Sequence, residues 1–400
     1  MNSYLIKNAQ IVTPYNVIPN GFVWVEEGRI KQVGSTGSAS LADQQPESPA
    51  GQPASPAVQV IDAGGAYVMP GIIDIHTDAM DAEIVPRPGA DIPVEVAFRE
   101  LERKMCSCGI TTVYHSLHLG YEVAELVSHS KYNRATVFSL VHGCGARPTL
   151  IRNKIHLRFE LSGVHAYEQG LELIRGGYID LLSVMDHTPG QGQWSKESFK
   201  RHVMAKGKTE EEFEEELIER MNKPKVDGDR LETLVRLARE CGLPVASHDD
   251  DTVEKVDAML ALGVNICEFP INMETAQYAV KMGMHVAGGA SNVLRGGSMS
   301  GNLDMTTAIR EGAVDILCSD YYPAAILHSV FKLHRQGTPL HDAVNLATLH
   351  PAESVNLDDR LGSLETGKEA DLLIVRIQDE LPMVTHAMVG GTLVMQTTTK

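Results

Sequence analysis

Short apolar runs and helical patterns alternate along the middle of the chain. Helical patterns such as RLETLVRLARECG and TVEKVDAMLALG repeat apolar residues every three or four positions and separate most of the apolar runs. Repeated strand–helix units predict a parallel sheet, and their number over roughly 280 residues favours an α/β fold with a (β/α)8 TIM barrel. A doubly wound sheet is the alternative, but no glycine-rich phosphate fingerprint follows the first predicted strand. Nine segments have the pattern of strands, one more than a barrel uses: 73–78, 111–115, 136–142, 155–161, 179–187, 245–248, 264–269, 285–289 and 314–320.

The two ends of the chain resemble each other and differ from the middle. YLIKNAQIVTP and GFVWVEEGRIKQVG near the start, and ADLLIVRIQ and PMVTHAMVGGTLVMQ near the end, predict short strands with glycine-rich turns. We therefore expect one small β-sandwich domain built from residues 1–68 and 358–400, with a catalytic barrel of residues 69–357 inserted in it. Residues 35–57 are rich in Ser, Ala, Pro and Gln, which predicts a flexible loop insertion.

The segment 207–224, KGKTEEEFEEELIERMNK, interrupts the alternation of strands and helices. Phe213, Leu217 and Met221 follow helical spacing, and acidic residues occupy the other faces. Such a pattern is typical of a solvated surface helix, which is the interpretation we favour. The alternative is a mobile lid over a functional site.

Composition and charge narrow the classes of function. The chain has 400 residues, is 43% hydrophobic and carries a formal net charge of -17, which argues against non-specific nucleic-acid binding. The six cysteines show no disulfide framework, and Cys106 and Cys108 are interpreted as half-buried thiols. The start of the chain lacks the pattern of a signal peptide, and no apolar run reaches membrane-spanning length. These features predict a cytoplasmic protein that acts neither on membranes nor on nucleic acid.

Acidic and imidazole side chains stand at the ends of several predicted strands. His76 and Asp78 share one face of the first strand, and the sequence IHLRFEL places His156, Arg158 and Glu160 on the face opposite its apolar residues. In a barrel this polar face looks inward, and the site lies at the carboxyl ends of the strands. Burying so many carboxylates without a cation would be costly, so the pattern predicts a metal centre. The other strand ends contribute Asp186, His187, His248 and Asp320.

These motifs resemble the amidohydrolase superfamily. VMPGIIDIHTD is similar to its first-strand motif P-G-x-x-D-x-H-x-H, with Asp78 where the second histidine usually stands, and LETGKEADLLIV is similar to its closing segment. HTDAMDAEIVPRPGAD, HLRFELS, MDHTPGQGQ, SHDDDT, GGASNVLRGGSMSGNL and DILCSDYYPAAIL resemble the phosphonate-metabolism branch. This resemblance implies hydrolysis that releases pyrophosphate from α-D-ribose 1-methylphosphonate 5-triphosphate or a similar phosphorylated phosphonate in carbon–phosphorus lyase catabolism.

The resemblance also implies a set of metal ligands. One or two divalent ions are expected, with zinc favoured and manganese or iron as alternatives, and six ligands favour two ions. Glu160 would bridge the metals, Asp320 would act as the general base, and His248 completes the predicted catalytic set. The predicted metal ligands are His76, Asp78, Glu160, His187, His248 and Asp320.

A triphosphate is anionic and needs hydrogen-bond donors and positively charged groups around it. Because the chain as a whole is acidic, these groups must come from residues near the site. Arg87, between two prolines, is expected to lie on a stiff loop and reach for phosphate. A Gly-Gly-Ser stretch, such as the one that follows Arg295, is often a plain loop without a ligand. Arg87 could likewise pair with a surface acid. His115, His118 and His142 are interpreted as core or supporting histidines. The other predicted substrate-binding residues are Arg295, Gly296, Gly297, Ser298 and Asn302.

Two alternatives to this function stay open. The same scaffold hydrolyses C–N bonds in amides, cyclic amides and bases, although that chemistry leaves Arg295 and the glycine-rich loop without a purpose. The second alternative is a non-catalytic scaffold, but every candidate strand end keeps its potential metal ligand. The expected partner is a small phosphorylated substrate, and a homodimer is the default assembly.

Overall fold

The described residues form two β-sheets and a set of helices, most of which alternate with the strands of the second sheet. The computed structural model describes residues 3–35, 58–87, 89–120, 134–190, 192, 195–205, 207–297 and 303–398. Its strands are β1 Tyr4–Val12, β2 Val17–Glu26, β3 Arg29–Ser35, β4 Gln59–Asp62, β5 Tyr67–Pro70, β6 Ile72–Thr77, β7 Ile110–Leu119, β8 Arg152–Glu160, β9 Leu181–Met185, β10 Val245–His248, β11 Ile266–Glu268, β12 His285–Gly289, β13 Ile316–Cys318, β14 Leu372–Gln378, β15 Leu381–Val389 and β16 Thr392–Gln396. Its α-helices are α1 Ala79–Ile84, α2 Val94–Ser107, α3 Arg134–His142, α4 Tyr167–Arg175, α5 Lys196–Ala205, α6 Glu210–Met221, α7 Gly228–Glu240, α8 Val253–Leu262, α9 Met273–Lys281, α10 Ala290–Arg295, α11 Met305–Arg310, α12 Ala325–Arg335, α13 Leu340–Asn345 and α14 Leu349–Ser354.

Strands from both ends of the chain form one sheet. Its order is β16-β15-β14-β5-β1-β2-β3, and β4 also pairs with β1. The antiparallel pairing of β5 with β14 joins the two ends of the chain. Apolar residues on alternate positions, among them Ile6, Val23 and Leu372, pack into a small core of this sheet. The predicted sheet from both termini is confirmed, whereas the exact domain boundaries stay a prediction. The predicted loop insertion falls almost wholly on residues 36–57, outside the described residues.

Eight parallel strands, β6 to β13, form the second sheet in the order of the chain. A parallel bridge between Thr77 and Asp320 brings the last strand back to the first. The backbone N–H of Asp78 donates to the carbonyl of Asp320 at 2.6 Å, and the N–H of Asp320 donates to the carbonyl of His76 at 3.1 Å. These contacts confirm the TIM-barrel prediction and place the ends of β6 and β13 side by side.

Of the nine predicted strands, 136–142 is wrong, because this segment forms the helix α3. Its sequence, TVFSLVH, has the composition of a buried strand. The helix instead buries Val137 and Val141, four residues apart, against the main core. A short apolar run has too few residues to separate the two periodicities.

Strand β8 follows the predicted two-sided pattern. Ile155, Leu157 and Phe159 are buried in the main hydrophobic core between sheet and helices. The alternate residues, His156 and Arg158 among them, are also buried, and they contact other barrel strands on the inner side. One strand thereby packs the outer layer and supplies polar groups to the interior.

Helices α5 and α6 form a separate pair with a core of their own, made by Phe199, Val203, Phe213 and Leu217. Thr209 caps α6 in a capping box with Glu212. The helix predicted within 207–224 is therefore present, and a lid function for it stays a prediction. None of the helices in the described ranges is both long and apolar enough to cross a membrane.

Candidate metal centre

The carboxyl ends of the barrel strands bring imidazoles and carboxylates together. Their ligand atoms form three overlapping groups in which all atoms lie within 4.8 Å of one another. The groups are His76–His248–Glu268, His187–His248–Asp249 and His76–Asp78–Asp320. Five of the six predicted ligands thus occur in these groups, and Glu160 does not.

The first corner of the centre lies where β6 meets β13. His76, Asp78 and Asp320 converge there because the backbone hydrogen bonds between the two strands fix their relative register. Asp320 has a left-handed backbone, with φ of 60°, a conformation that aspartate tolerates better than most residues. Burial and the neighbouring Asp78 carboxylate raise the pKa of Asp320 to about 7, and Arg158 opposes this shift.

Glu268, at the end of β11, holds the ring of His76. The Nδ1 atom of His76 lies 3.1 Å from Oε1 of Glu268, and the hydroxyl of Ser183 donates to Oε2 at 2.9 Å. Burial and the Arg158 charge lower the pKa of His76 to about 3, so the imidazole is neutral. With Nδ1–H directed at the carboxylate, Nε2 presents a lone pair, which is the usual arrangement of a metal-binding histidine. Glu268 was missed from sequence, although it lies at the end of a predicted strand.

The second corner contains His187, His248 and Asp249. Oδ2 of Asp249 lies 3.7 Å from Nε2 of His187 and 3.2 Å from Nδ1 of His248. Nδ1 of His187 faces Oε2 of Glu160 at 2.8 Å, so Glu160 orients this ring from outside the ligand groups. Asp249 was also missed, because three consecutive aspartates in SHDDDT gave no means of choosing between them.

Arg158 lies between the two corners and is 5% exposed. Its NH1 group is 3.0 Å from both carboxylate oxygens of Asp78 and 3.1 Å from Nε2 of His118. Its NH2 group is 3.1 Å from Nε2 of His248. Burial and this guanidinium keep the pKa of His248 well below its usual range. The centre therefore contains one permanent positive charge.

The residues present fit a divalent cation. Neutral imidazoles and carboxylates are the mixed nitrogen and oxygen donors that zinc, manganese and iron accept. Within the described residues, Nε2 of His156 is buried without a hydrogen-bond partner and lies 3.7 Å from Oε2 of Glu268. Its Nδ1 donates to the carbonyl of Ile75 at 3.0 Å. An imidazole lone pair facing a carboxylate is unfavourable unless positive charge lies nearby.

The predicted phosphate-binding arginines belong to none of these three groups: Arg87 follows α1, and Arg295 is the last residue of α10. Arg87 and Arg295 are exposed, and neither makes a hydrogen bond or ion pair within the described part of the chain. Gly296 ends α10 in a left-handed conformation, with φ of 83°, and Gly297 follows it. The predicted residues Ser298 and Asn302 fall outside the described residues.

The next helix along the chain, α11, begins at Met305. Asp304 already caps its first turn by accepting from the N–H of Thr307. A carboxylate at this position competes with any anion for the helix N-terminus. The N-terminus of α11 is therefore already occupied by a carboxylate and does not favour a bound phosphate.

The remaining histidines differ in their surroundings. His115 is buried with Nε2 2.9 Å from Oδ1 of Asn153, and His118 contacts Arg158. His142 is exposed at the end of α3 and stacks near Tyr178. The interpretation of His115 and His118 as core or supporting residues agrees with these contacts.

Comparisons with known proteins agree with this architecture. The chain is 30% identical to the α-D-ribose 1-methylphosphonate 5-triphosphate diphosphatase of Escherichia coli (strain K12), over 97% of this chain and 99% of that protein. It is 26% identical to a 5-methylthioadenosine/S-adenosylhomocysteine deaminase of Desulforudis audaxviator (strain MP104C), over 93% of this chain and 85% of that protein.

Solved structures share the fold. A prolidase complexed with N-methylphosphonate-L-proline matches 99% of this chain and 100% of its own, with a TM-score of 0.64 and 16% identity. The model of the amidohydrolase family matches residues 184–394. The chain therefore belongs to the amidohydrolase family.

Proposed function

We propose that this protein is a metal-dependent diphosphatase that releases pyrophosphate from α-D-ribose 1-methylphosphonate 5-triphosphate or a similar phosphorylated phosphonate. The observation that carries the proposal is the likeness to the Escherichia coli diphosphatase, which extends over 97% of this chain and 99% of that protein. Barrels of this kind carry their active sites at the carboxyl ends of the strands. The cluster of imidazoles and carboxylates at these ends supports a hydrolytic metal centre.

Asp320 is the proposed general base. A divalent ion bound in the centre would supply Lewis-acid chemistry toward water and phosphoryl oxygens. The carboxylate of Asp320 stands beside His76 and Asp78, and two backbone hydrogen bonds to β6 fix it there. From this position it would accept the proton of the attacking water as the phosphorus–oxygen bond forms and the pyrophosphate leaves.

The other predicted catalytic residues take supporting roles in this proposal. Glu160 accepts from Nδ1 of His187 and sets the orientation of that ring. His248 keeps the centre compact through its contacts with Arg158 and Asp249. Arg87 and Arg295 are proposed to bind the phosphates, because their exposed guanidiniums suit bidentate contacts with phosphate oxygens.

Product analysis tests the proposal directly. Purified protein with added zinc or manganese is incubated with α-D-ribose 1-methylphosphonate 5-triphosphate, and pyrophosphate and ammonia are measured. We expect pyrophosphate without ammonia, and slower release from ATP. Ammonia release from purine nucleosides without pyrophosphate release would replace the proposal with C–N hydrolysis, which the deaminase relative favours as the second candidate.

The base role of Asp320 has its own test. Asp320→Asn is expected to lower kcat by about 10²–10⁴-fold at saturating metal, the range typical of general-base loss. Asp358→Asn, at an exposed aspartate, serves as the control and should leave kcat unchanged. Turnover of the Asp320 variant within a few-fold of the wild type would remove Asp320 from this role.

A further inference from the structure

Arg158 occupies the middle of the ligand cluster with an unusual set of neighbours. It contacts both oxygens of Asp78 through NH1 at 3.0 Å and Nε2 of His248 through NH2 at 3.1 Å. Both residues are predicted metal ligands. A buried guanidinium thereby binds atoms that a metal would otherwise bind.

The contact with His248 decides which of its nitrogens can bind a metal. A guanidinium has only N–H donors, so Nε2 of His248 accepts this hydrogen bond with its lone pair. Nδ1 of the neutral ring then carries the proton; it lies 3.2 Å from Oδ2 of Asp249 but forms no hydrogen bond within the described residues. With one lone pair engaged and the other nitrogen protonated, His248 has none left for a metal.

This loss affects the three groups of ligand atoms differently. His187–His248–Asp249 and His76–His248–Glu268 both include His248 and are each reduced to two ligands. His76–Asp78–Asp320 keeps all three. Within that group His76 directs Nδ1 at Glu268 and offers Nε2. Asp78 can still bind a cation, because each carboxylate oxygen has a second lone pair beside the one that Arg158 uses.

The positive charge of Arg158 also favours a metal at the first corner. A divalent ion at the second corner would lie against the guanidinium in a buried setting, where like charges repel strongly. At the first corner the Asp78 carboxylate would stand between Arg158 and the ion, where its negative charge attracts both and reduces their mutual repulsion. The position of Arg158 therefore favours occupation of the first corner alone.

We propose that Arg158 takes the place of one metal of a binuclear centre, so that the protein binds a single divalent ion on His76, Asp78 and Asp320. This inference rests on the proposed function only in requiring a divalent ion. It replaces the expectation of two metals from the ligand count. The metal counts that test it need no substrate, so a failure to release pyrophosphate would leave them unaffected.

Metal stoichiometry of the full chain tests the proposal. Protein stripped with a chelator is titrated with Mn²⁺, and bound metal is counted by mass spectrometry after gel filtration and by electron paramagnetic resonance. We expect one ion in the wild type and a second in Arg158→Gln. Arg103→Gln removes an ion-paired arginine from an exposed helix face and should keep one. Two ions in the wild type, or one in the folded Arg158 variant, would overturn the proposal.

A second pair of variants keeps the test valid if Arg158→Gln does not fold. Asp78→Asn should lose the single ion, whereas Asp249→Asn should retain it, with folding of both checked by circular dichroism. The opposite pattern would place the metal at the second corner and refute the assignment. A spin-coupled manganese pair in the wild-type resonance spectrum would refute it independently of any variant.

Discussion

Glu268 illustrates how a residue can shape the centre without being one of its predicted ligands. It is fully buried, faces Nδ1 of His76 and accepts from Ser183. A carboxylate in this position fixes the tautomer and orientation of a metal-binding imidazole. The strength of metal binding is therefore expected to depend on Glu268 as well as on His76.

We predict that Glu268→Gln weakens metal binding by about 10–100-fold, the usual cost of losing such a supporting carboxylate. The dissociation constant of Mn²⁺ or Zn²⁺, measured by competition with a chelator, provides the check. Glu274→Gln, in the first turn of α9, is the control. An unchanged dissociation constant in the Glu268 variant would show that His76 needs no support from it.

Sequence reasoning located part of this centre at the level of single residues. His76, Asp78 and Arg158 could be placed because strand alternation fixes which side chains share a face. Glu268 and Asp249 could not, because a lone acid in a three-residue strand and one of three adjacent aspartates carry no periodicity. Glu160 was expected to bridge metals, but contact with His187 depends on the orientation of β8 against β9, which sequence does not contain.

At the level of elements, α5 and α6 form the part of the described chain with the smallest core. Four apolar side chains hold the pair together, and Ile218 and Met221 on α6 are exposed. Few buried contacts mean a low free energy of local opening. This pair is therefore expected to open more readily than the barrel strands.

We predict that Thr209→Ala speeds amide exchange in α6, since losing an N-cap costs about 1 kcal/mol of helix stability. Hydrogen–deuterium exchange read by mass spectrometry should show faster exchange confined to peptides covering 210–221, with an unchanged midpoint of global unfolding. Glu214→Ala, at an exposed position of the same helix, should leave exchange unaltered. A lower midpoint of global unfolding with faster exchange throughout the chain would contradict local opening.

The elements themselves could largely be predicted. Segments with clear periodicity, such as those that form α7 and α8, have the predicted helical type. The segment of α3 could not be assigned correctly, because packing of Val137 and Val141 decided its conformation rather than local preference.

For the molecule as a whole, Arg152 connects the barrel to the sheet from both termini. It is the first residue of β8 and pairs with Asp371 and with Glu369, the latter at 2.5 Å. Asp371 is buried, and burial raises its pKa although Arg152 opposes the shift. Removing the arginine leaves a buried carboxylate uncompensated.

We predict that Arg152→Met lowers the free energy of unfolding by roughly 2–4 kcal/mol. This loss is smaller than is usual for a broken buried ion pair, because Arg152 is partly exposed. Urea unfolding at pH 7 measures this. Arg103→Met, at an exposed ion pair, should change stability by less than about 0.5 kcal/mol. A loss equal to that of the control would mean that the link between the two sheets contributes nothing.

The pH dependence of stability should contain a contribution from His115. Burial lowers its pKa to about 4, and the contact with Asn153 only partly offsets this. Between pH 7 and 5 the unfolded chain protonates this ring while the native state does not, so stability falls as pH falls.

We predict that His115→Gln removes about 1–2 kcal/mol of that loss between pH 7 and 5. The measurement is the free energy of urea unfolding at both pH values. His165→Gln, at an exposed histidine, should retain the wild-type difference. An equal pH dependence in wild type and His115→Gln would show that His115 is not held neutral.

The sheet built from both ends of the chain has a consequence for biosynthesis. β5 pairs with β14, but the ribosome makes β14 roughly 300 residues after β5, when most of the barrel has already emerged. Until then one edge of the early sheet is open to pairing with other nascent chains. We expect the yield of this protein in cells to depend on chaperones that shield such edges during translation.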